Sequence, residues 1–389
     1  MRQYFRELRD FFRKGDLILL LLCLITSAFG VIMIASAKNY MGNVRFIIIQ
    51  VAAIAIGILA YVIVSAIDAD FMSEYRMVFI GLSVFVLLLL IPFGTDLGSG
   101  NRSWLDFPFL PIDIQPAEIC KISFIIILAS TMASHQTKIS SIPSIFHMVF
   151  QLGLLVGTNL VVSKDTGVSL IFVFIFIGMA FAGGVSLIWF LIAGGGIVAA
   201  WPILWNYVLR DHQKNRILVL IDPSIDPDGI DERYHAVRSL RSLTGGGWSG
   251  QGLFQGIRTQ NGELPAQHTD YIFSAIGEEL GFVGCILVVV ALALIIVRII
   301  WVGTRSQDYM RRLICFGCAS ALIFQVISNI GMCIGITPVI GLTLPFVSYG
   351  GSSIVTLYTM LGLVSGVYAR PAPTSLERYV QPPYMHRLQ

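Results

Sequence analysis

Runs of about 20 apolar residues, separated by short polar breaks, fill most of the chain, which is the pattern of helices that cross a bilayer. They are Leu17 to Ala37, Phe46 to Ile67, Met77 to Phe93, Glu118 to Ala133, Ile145 to Val162, Val168 to Phe181, Leu187 to Val208, Ala275 to Val302, Leu313 to Gly335 and Phe346 to Tyr368. The pattern predicts an all-α, polytopic membrane protein with ten transmembrane helices, built as one integral membrane domain over residues 1–389. Gly194 to Gly196 break the seventh run, which membrane helices tolerate when neighbours cover the freed backbone. No repeat recurs at a fixed period, so the inverted halves of secondary transporters have no support here.

Composition narrows the class. The chain is 56% hydrophobic and 13% charged, with a mean hydropathy of +0.78, far more apolar than a soluble domain. The net charge of +3 is small and spread out, without the basic face that nucleic-acid binding requires. Cys23, Cys120, Cys285, Cys315, Cys318 and Cys333 all fall in or beside apolar runs and read as small buried side chains rather than metal ligands. Arg2, Arg6, Arg9, Arg13 and Lys14 precede the first run as in a signal peptide. That run is too long for a cleaved segment and no clear small-residue cleavage site follows, so an uncleaved first span is expected.

Basic residues near span ends are retained in the cytoplasm. The basic N-terminus, Lys138, Arg305, Arg311, Arg312, Arg370, Arg378 and Arg387 share one side, whereas Lys38 and Arg45 fall on the other and the Asp68 to Arg76 segment is net acidic. Both termini are therefore expected in the cytoplasm. Two long connections, Gly94 to Ala117 and Leu209 to Ser274, then lie outside and hold most of the polar chemistry. The second, an extracytoplasmic loop of about 65 residues between the seventh and eighth spans, is long enough to be functional. Its apolar residues, Trp248 and Phe254 among them, suit packing on the bundle or the membrane surface.

Within that loop the glycines at 245, 246, 247, 250, 252, 256 and 262 free the backbone for positive φ and close approach to a ligand; a flexible surface loop is the plainer alternative. No Gly-Lys-Ser/Thr ending marks a phosphate-binding loop. Asp270 follows in Pro265-Ala-Gln-His-Thr-Asp270, where water meets lipid. A carboxylate there is costly to bury and its pKa can rise into the range of a general base; the alternative is a helix cap. Glu278 and Glu279 read as residues that support the site from behind or meet lipid headgroups, with a solvated face as the plainer alternative for one of them. In the other outer connection Glu118 and Lys121 lie on one helix face after Pro116, as a local ion pair or as a site facing a polar cavity. Arg102 adds a cation beside Trp104. Lys164-Asp165-Thr166-Gly167 reads as a structural Asx turn.

Taken together, the motifs resemble the SEDS family, the RodA/FtsW/SpoVE proteins of bacterial cell-wall synthesis. The resemblance covers nearly the whole chain. Its most specific parts are Pro338 to Ser353 (PVIGLTLPFVSYGGSS), Leu264 to Phe273 (LPAQHTDYIF) and Gly277 to Gly281 (GEELG). It implies a ten-span fold and a peptidoglycan glycosyltransferase that polymerises lipid II in cell elongation or division; the short termini fit the RodA type better. The family's essential acid maps onto Asp270, and its Glu and Lys onto Glu118 and Lys121. Ala117 stands where the family usually has Ser, and Lys164 to Gly167 replaces its Pro-Asp-Leu-Gly.

The mechanism this implies is an inverting displacement at the anomeric carbon of a lipid-linked sugar, with Asp270 as base and Lys121 and Arg102 holding the leaving pyrophosphate. Glu118 would orient Lys121 or bind a divalent cation, Mg²⁺ or Mn²⁺; no dedicated metal-ligand set is assigned. Arg216, His268, Thr269, Glu278 and Ser348 are the further candidates for substrate binding. Expected partners are lipid II, a class B penicillin-binding protein (a transpeptidase), other cell-wall elongation or division proteins and membrane lipid, but no nucleic acid, and the expected location is the bacterial cytoplasmic membrane. The rival expectations are a lipid II flippase and a scaffold for the transpeptidase.

Overall fold

The computed structural model describes residues 15–42, 44–95, 102–106, 113–208, 211–222, 226 and 234–370. Among these the chain is helical almost throughout: α1 (Leu17–Lys38), α2 (Arg45–Ala66), α3 (Arg76–Leu88), α4 (Pro116–Ser134), α5 (Ile142–Val162), α6 (Thr166–Ala182) and α7 (Leu187–Ile203). The long connection between α7 and α10 carries α8 (Asp211–Ile221) and α9 (Tyr234–Gly245), and α10 (Ile272–Arg305), α11 (Tyr309–Cys333) and α12 (Gly351–Ala369) complete the bundle. Two short antiparallel strands, β1 (Gly94–Thr95) and β2 (Trp104–Leu105), are the sole exception among the described elements.

Nine helices among the described residues are long and apolar enough to span a bilayer. Of the ten expected spans the sixth falls short, because α6 has 17 residues and its start is fixed by Asp165, whose Oδ1 accepts from Val168 N–H at 3.1 Å. The last two spans are also shorter than expected at the ends that face each other along the chain. The chain leaves α11 at Cys333 and does not re-enter a helix until Gly351, so Phe346, expected to open the tenth span, lies in non-helical backbone with φ +64°. Such backbone is tolerated at a membrane only under protein cover, and Phe346 and Val347 are buried.

The core is formed by α4, α11 and α12, which bury most of their length, with α6 half-buried against them, whereas α10 exposes Phe282, Val283, Ile286, Leu287, Val290 and Leu294 along one face, the surface expected to meet lipid. α7 is held at its first turn, where Trp189 Nε1 donates to the Ser140 carbonyl at 2.9 Å; its remaining length is unburied. At one end of the bundle Asp16 accepts from Arg298 through both carboxylate oxygens, at 3.0 and 2.9 Å, and Arg311 pairs with Asp68 at 3.2 Å. The acidic residues singled out from the sequence gather at the opposite end, where α4, α6, α10 and α12 begin and α11 stops.

Candidate active site

Asp270 stands on a tight turn immediately before α10. The turn is knotted around the Ala266 carbonyl, which accepts from the Thr269 and Tyr271 N–H groups at 3.1 and 3.2 Å while Ala266 itself holds φ +45°. Two groups from the 334–350 crossing and from α11 fix the turn from outside. Ser348 Oγ donates to the Thr269 carbonyl at 2.6 Å and accepts from Leu344 N–H at 2.8 Å. Asn329 Nδ2 donates to the carbonyls of Asp270 and Leu342, both at 2.7 Å. The crossing then passes close over the carboxylate: Gly341 has φ +73°, and a Cβ there would sit 3.6 Å from Asp270 Oδ2.

Beside Asp270 lies a second carboxylate, Asp165, placed by its capping role at the start of α6 and held by Gln115 Nε2 at 3.3 Å. Burial first, and the charge of Asp165 second, push the Asp270 carboxyl up to about 6. Asp165 is raised in turn, by burial and also by the charge of Glu118, so the three acids form one electrostatic group. Glu118 ends that group in an ion pair with Lys121, 2.7 Å apart and almost wholly buried at 5% and 2% exposure. Glu118 and Lys121 thus form the local ion pair that was one of the two expectations for this face of α4, and Asp165, read from the sequence as a structural turn, performs that turn and also lies beside Asp270. The signal that could have found it is spacing of charge against span ends: an acid at the start of the sixth span is as costly there as Asp270.

Other expected positions take different roles. Glu278 does not face a substrate: it is fully buried, its Oε1 accepts from Arg258 N–H at 3.0 Å, and its Oε2 accepts from Thr259 N–H at 2.9 Å and Thr259 Oγ1 at 2.7 Å. Glu279 is spent likewise on Ser36 Oγ and Gln260 Nε2. Ser348 uses its hydroxyl on the backbone, and Thr269 Oγ1 donates back to Ala266 at 3.2 Å, so both shape the turn. The His268 ring sits between Phe46 and Tyr349, at 5.4 and 5.6 Å between centroids, and burial with the nearby Lys38 charge holds it down at about 4, hence neutral. Arg102 lies on an exposed segment before β2, and no described contact brings it to Asp270 or Lys121. Arg216, on α8, lines a cleft with α9 and residues 335–339, and none of Asp270, Asp165, Glu118 or Lys121 is among its walls.

The glycine-rich stretch makes its close approach to a helix. α10 is kinked at Gly281, with φ +67° and ψ −163°, and the freed backbone groups bond to the loop: Gln251 and Gly252 N–H donate to the Glu278 and Glu279 carbonyls at 3.0 and 2.9 Å, and Phe282 N–H donates to Gly247 at 2.9 Å. Backbone meets backbone here, and a Cβ on Gly281 would lie 2.6 Å from the Trp248 carbonyl oxygen. As a metal ligand Glu118 is a poor fit, since its carboxylate is committed to Lys121, and among the described residues no three His, Cys, Asp or Glu side chains converge on one point.

The profile of a family described as cell cycle protein, FtsW/RodA/SpoVE, matches residues 16–371. The chain belongs to the FtsW/RodA/SpoVE family. Among members of the family, the peptidoglycan glycosyltransferase MrdB of Escherichia coli K12 is 31% identical over 356 residues, covering 90% of this chain and 92% of its own length. The probable peptidoglycan glycosyltransferase FtsW of Geobacter metallireducens is 30% identical over 365 residues, 92% of this chain and 95% of its own. In three dimensions the chain matches one from a peptidoglycan synthase complex, described for its structural coordination of polymerization and crosslinking, with a TM-score of 0.75 at 26% identity over 91% of this chain and 97% of that one. The rod shape determining protein RodA of Thermus thermophilus shares the fold, with a TM-score of 0.68 over 92% of this chain and 98% of its own.

Proposed function

We propose that this chain is a peptidoglycan glycosyltransferase that polymerises lipid II at the outer face of the bacterial cytoplasmic membrane, with both termini in the cytoplasm. The observation that carries the reading is Asp270, a partly exposed carboxylate at the membrane boundary, rigidly placed by Ser348 and Asn329 and shifted to about 6 by burial and Asp165. A base is most effective with a pKa near the working pH. Asp270 takes the proton of an acceptor sugar hydroxyl as its oxygen bonds to the anomeric carbon of a lipid-linked sugar. The bond from that carbon to the pyrophosphate oxygen breaks, the pyrophosphate leaves with the electron pair, and the configuration inverts because base and leaving group lie on opposite faces.

Lys121 supplies the cation for the leaving pyrophosphate. In the resting arrangement Glu118 neutralises it at 2.7 Å, and exchange of that carboxylate for a phosphate oxygen keeps the buried ammonium paired throughout. The family resemblance and the likeness to a chain from a complex of polymerization and crosslinking support a class B penicillin-binding protein as partner. The deciding experiment is polymerisation of purified lipid II by the wild type and by Asp270→Asn. Loss of product in the variant is expected; undiminished glycan would refute the assignment, and labelled lipid crossing vesicles without lengthened glycan would identify a flippase instead.

A further inference from the structure

The crossing that fixes the Asp270 turn is itself held by α2. Phe46 and Gln50 stand one turn apart on that helix, at the i, i+4 spacing that puts two side chains on one face. Phe46 meets the His268 and Tyr349 rings edge to face, with centroids 5.4 and 5.3 Å away. Gln50 is 1% exposed; its Nε2 donates to the Ser348 carbonyl at 3.2 Å and its Oε1 accepts from Gly350 N–H at 3.1 Å. One side-chain amide thus serves the backbone on both sides of Tyr349, as a neighbouring strand would. Tyr349 N–H in turn donates to the His268 carbonyl at 2.8 Å, beside the bond from Ser348 Oγ to the Thr269 carbonyl. His268 and Thr269 are the two residues before Asp270.

α2 is suited to be a fixed strut. Further along the same face it lies so close to α12 that a Cβ on Gly57 would sit 2.9 Å from the Tyr358 ring, and one on Gly362 would sit 2.7 Å from the Tyr61 carbonyl oxygen. Packing this tight does not let one helix slide on the other. The opposite face of α2 is exposed at Ile48, Leu59 and Ile63. The plain alternative is that Gln50 satisfies two backbone groups that lipid could not. The geometry goes further, because residues 348–350, which Gln50 clamps, are the ones that bond to His268 and Thr269; a clamp elsewhere on the crossing would leave the turn free. On the glycosyltransferase reading, on which this inference rests, a base moved by a fraction of an ångström loses rate.

We infer that Gln50 is a positioning residue for the base: its amide, acting through residues 348–350, holds the Asp270 carboxylate in place for the acceptor hydroxyl. The test compares the full-length wild type, Gln50→Leu and Gln50→Asn in vesicles. Ser65→Ala is the control, since Ser65 Oγ bonds the Val62 carbonyl at 2.8 Å at the far end of α2. Gln50→Leu keeps the size of the side chain and removes both bonds to the crossing. Its kcat for lipid II polymerisation is expected to fall about tenfold, the scale of a small misplacement of a reacting group, with KM and the acid limb of the pH profile unchanged. Gln50→Asn, whose amide is one methylene short, should fall between, and it serves as the test if Gln50→Leu does not fold. Ser65→Ala should keep the wild-type rate. Hydrogen exchange without any lipid II reads the hold by itself: the Tyr271, Tyr349 and Gly350 amides should exchange faster in the Gln50 variants, and the Val168 and Thr259 amides should not. A wild-type kcat in a folded Gln50 variant, a raised KM at unchanged kcat, unaltered exchange at Tyr349 and Tyr271, or faster exchange throughout the bundle would each overturn the inference. Faster local exchange in a protein whose wild type lengthens no glycan would sustain the hold on the turn and refute the glycosyltransferase reading, so the two failures are separate results.

Discussion

Asp165 and Asp270 come from turns far apart in the sequence, yet the charge of the first adds to burial in raising the proton affinity of the second to about 6. The base must be ionised to act, so the polymerisation rate is expected to rise with pH through about 6 and level off above it. Asp165→Asn removes a like charge, favours the ionised form of Asp270, and moves the acid limb to lower pH. The move should be under about one pH unit, because burial is the larger cause. A rate profile unchanged or displaced upward in that variant contradicts the coupling, whatever the variant does to the overall rate.

The same shift has a consequence for stability. A group whose pKa is raised on folding contributes stability that is complete below its unfolded pKa and is lost as pH rises through its folded pKa; for Asp270 that window lies between the ordinary carboxylate range and about 6. At neutral pH the ionised carboxylate therefore weakens the fold. Asp270→Asn should be inactive and yet more stable by on the order of 1 kcal/mol after allowance for solvent screening, read as a higher melting temperature at pH 7.5 with the gain shrinking toward pH 5. A variant that melts lower at pH 7.5 argues that the carboxylate is paired and not poised.

Much of this arrangement was legible before any coordinates. The apolar runs placed the nine membrane-length helices and the shorter α6, since a bilayer allows few other solutions, though not α8 and α9 in the long loop, and charge at a span end pointed to Asp270, Glu118 and Lys121. What was not legible was which polar groups look outward. Glu278 reads from the sequence like Asp270, an acid at the head of an apolar helix; only the return of Arg258 and Thr259 onto it, a contact across 19 or 20 residues, turns it into a structural anchor. Asp165 was hidden for the converse reason, since its local capping bond accounts for it without reference to the distant Asp270. Ser348 was noticed for its motif, but a hydroxyl that hydrogen-bonds backbone cannot be told in sequence from one that meets a sugar.

Glu278→Ala should act through folding. The substitution strands the Thr259 N–H and hydroxyl in a fully buried place and the Arg258 N–H in a partly buried one, at roughly 3 kcal/mol in total. A markedly lower melting temperature is expected, while protein that remains folded keeps the wild-type KM for lipid II. A KM raised tenfold with an unchanged melting temperature would return Glu278 to the substrate.

Asn329 is a positioning residue in the same sense. Its amide spans the carbonyls of Asp270 and Leu342, 2.7 Å from each, and so ties the base to the crossing that covers it. Asn329→Ala is expected to lower kcat about tenfold, the scale of a small misplacement of a reacting group, with KM and the position of the acid limb little changed. A displaced acid limb would mean that the amide tunes the carboxylate's charge and does not merely hold its backbone.

The glycine-rich loop offers a contrast within one segment. Gly250 has φ +79°, and a Cβ there would run into the Glu279 carbonyl oxygen and lie 2.6 Å from Leu280 Cα; neither backbone can yield without undoing the kink at Gly281. Gly247 has φ +54° but nothing within 4 Å of its would-be Cβ, so a side chain there meets only the conformational cost of the left-handed region, roughly 1 kcal/mol. Gly250→Ala should therefore prevent folding or lower the melting temperature drastically, and Gly247→Ala should be mild. Both outcomes follow if the glycines exist to let the loop dock on α10. If instead Gly250→Ala kept its melting temperature and lost affinity for lipid II, the loop would be cradling a ligand, and the docking role assigned to it would fall.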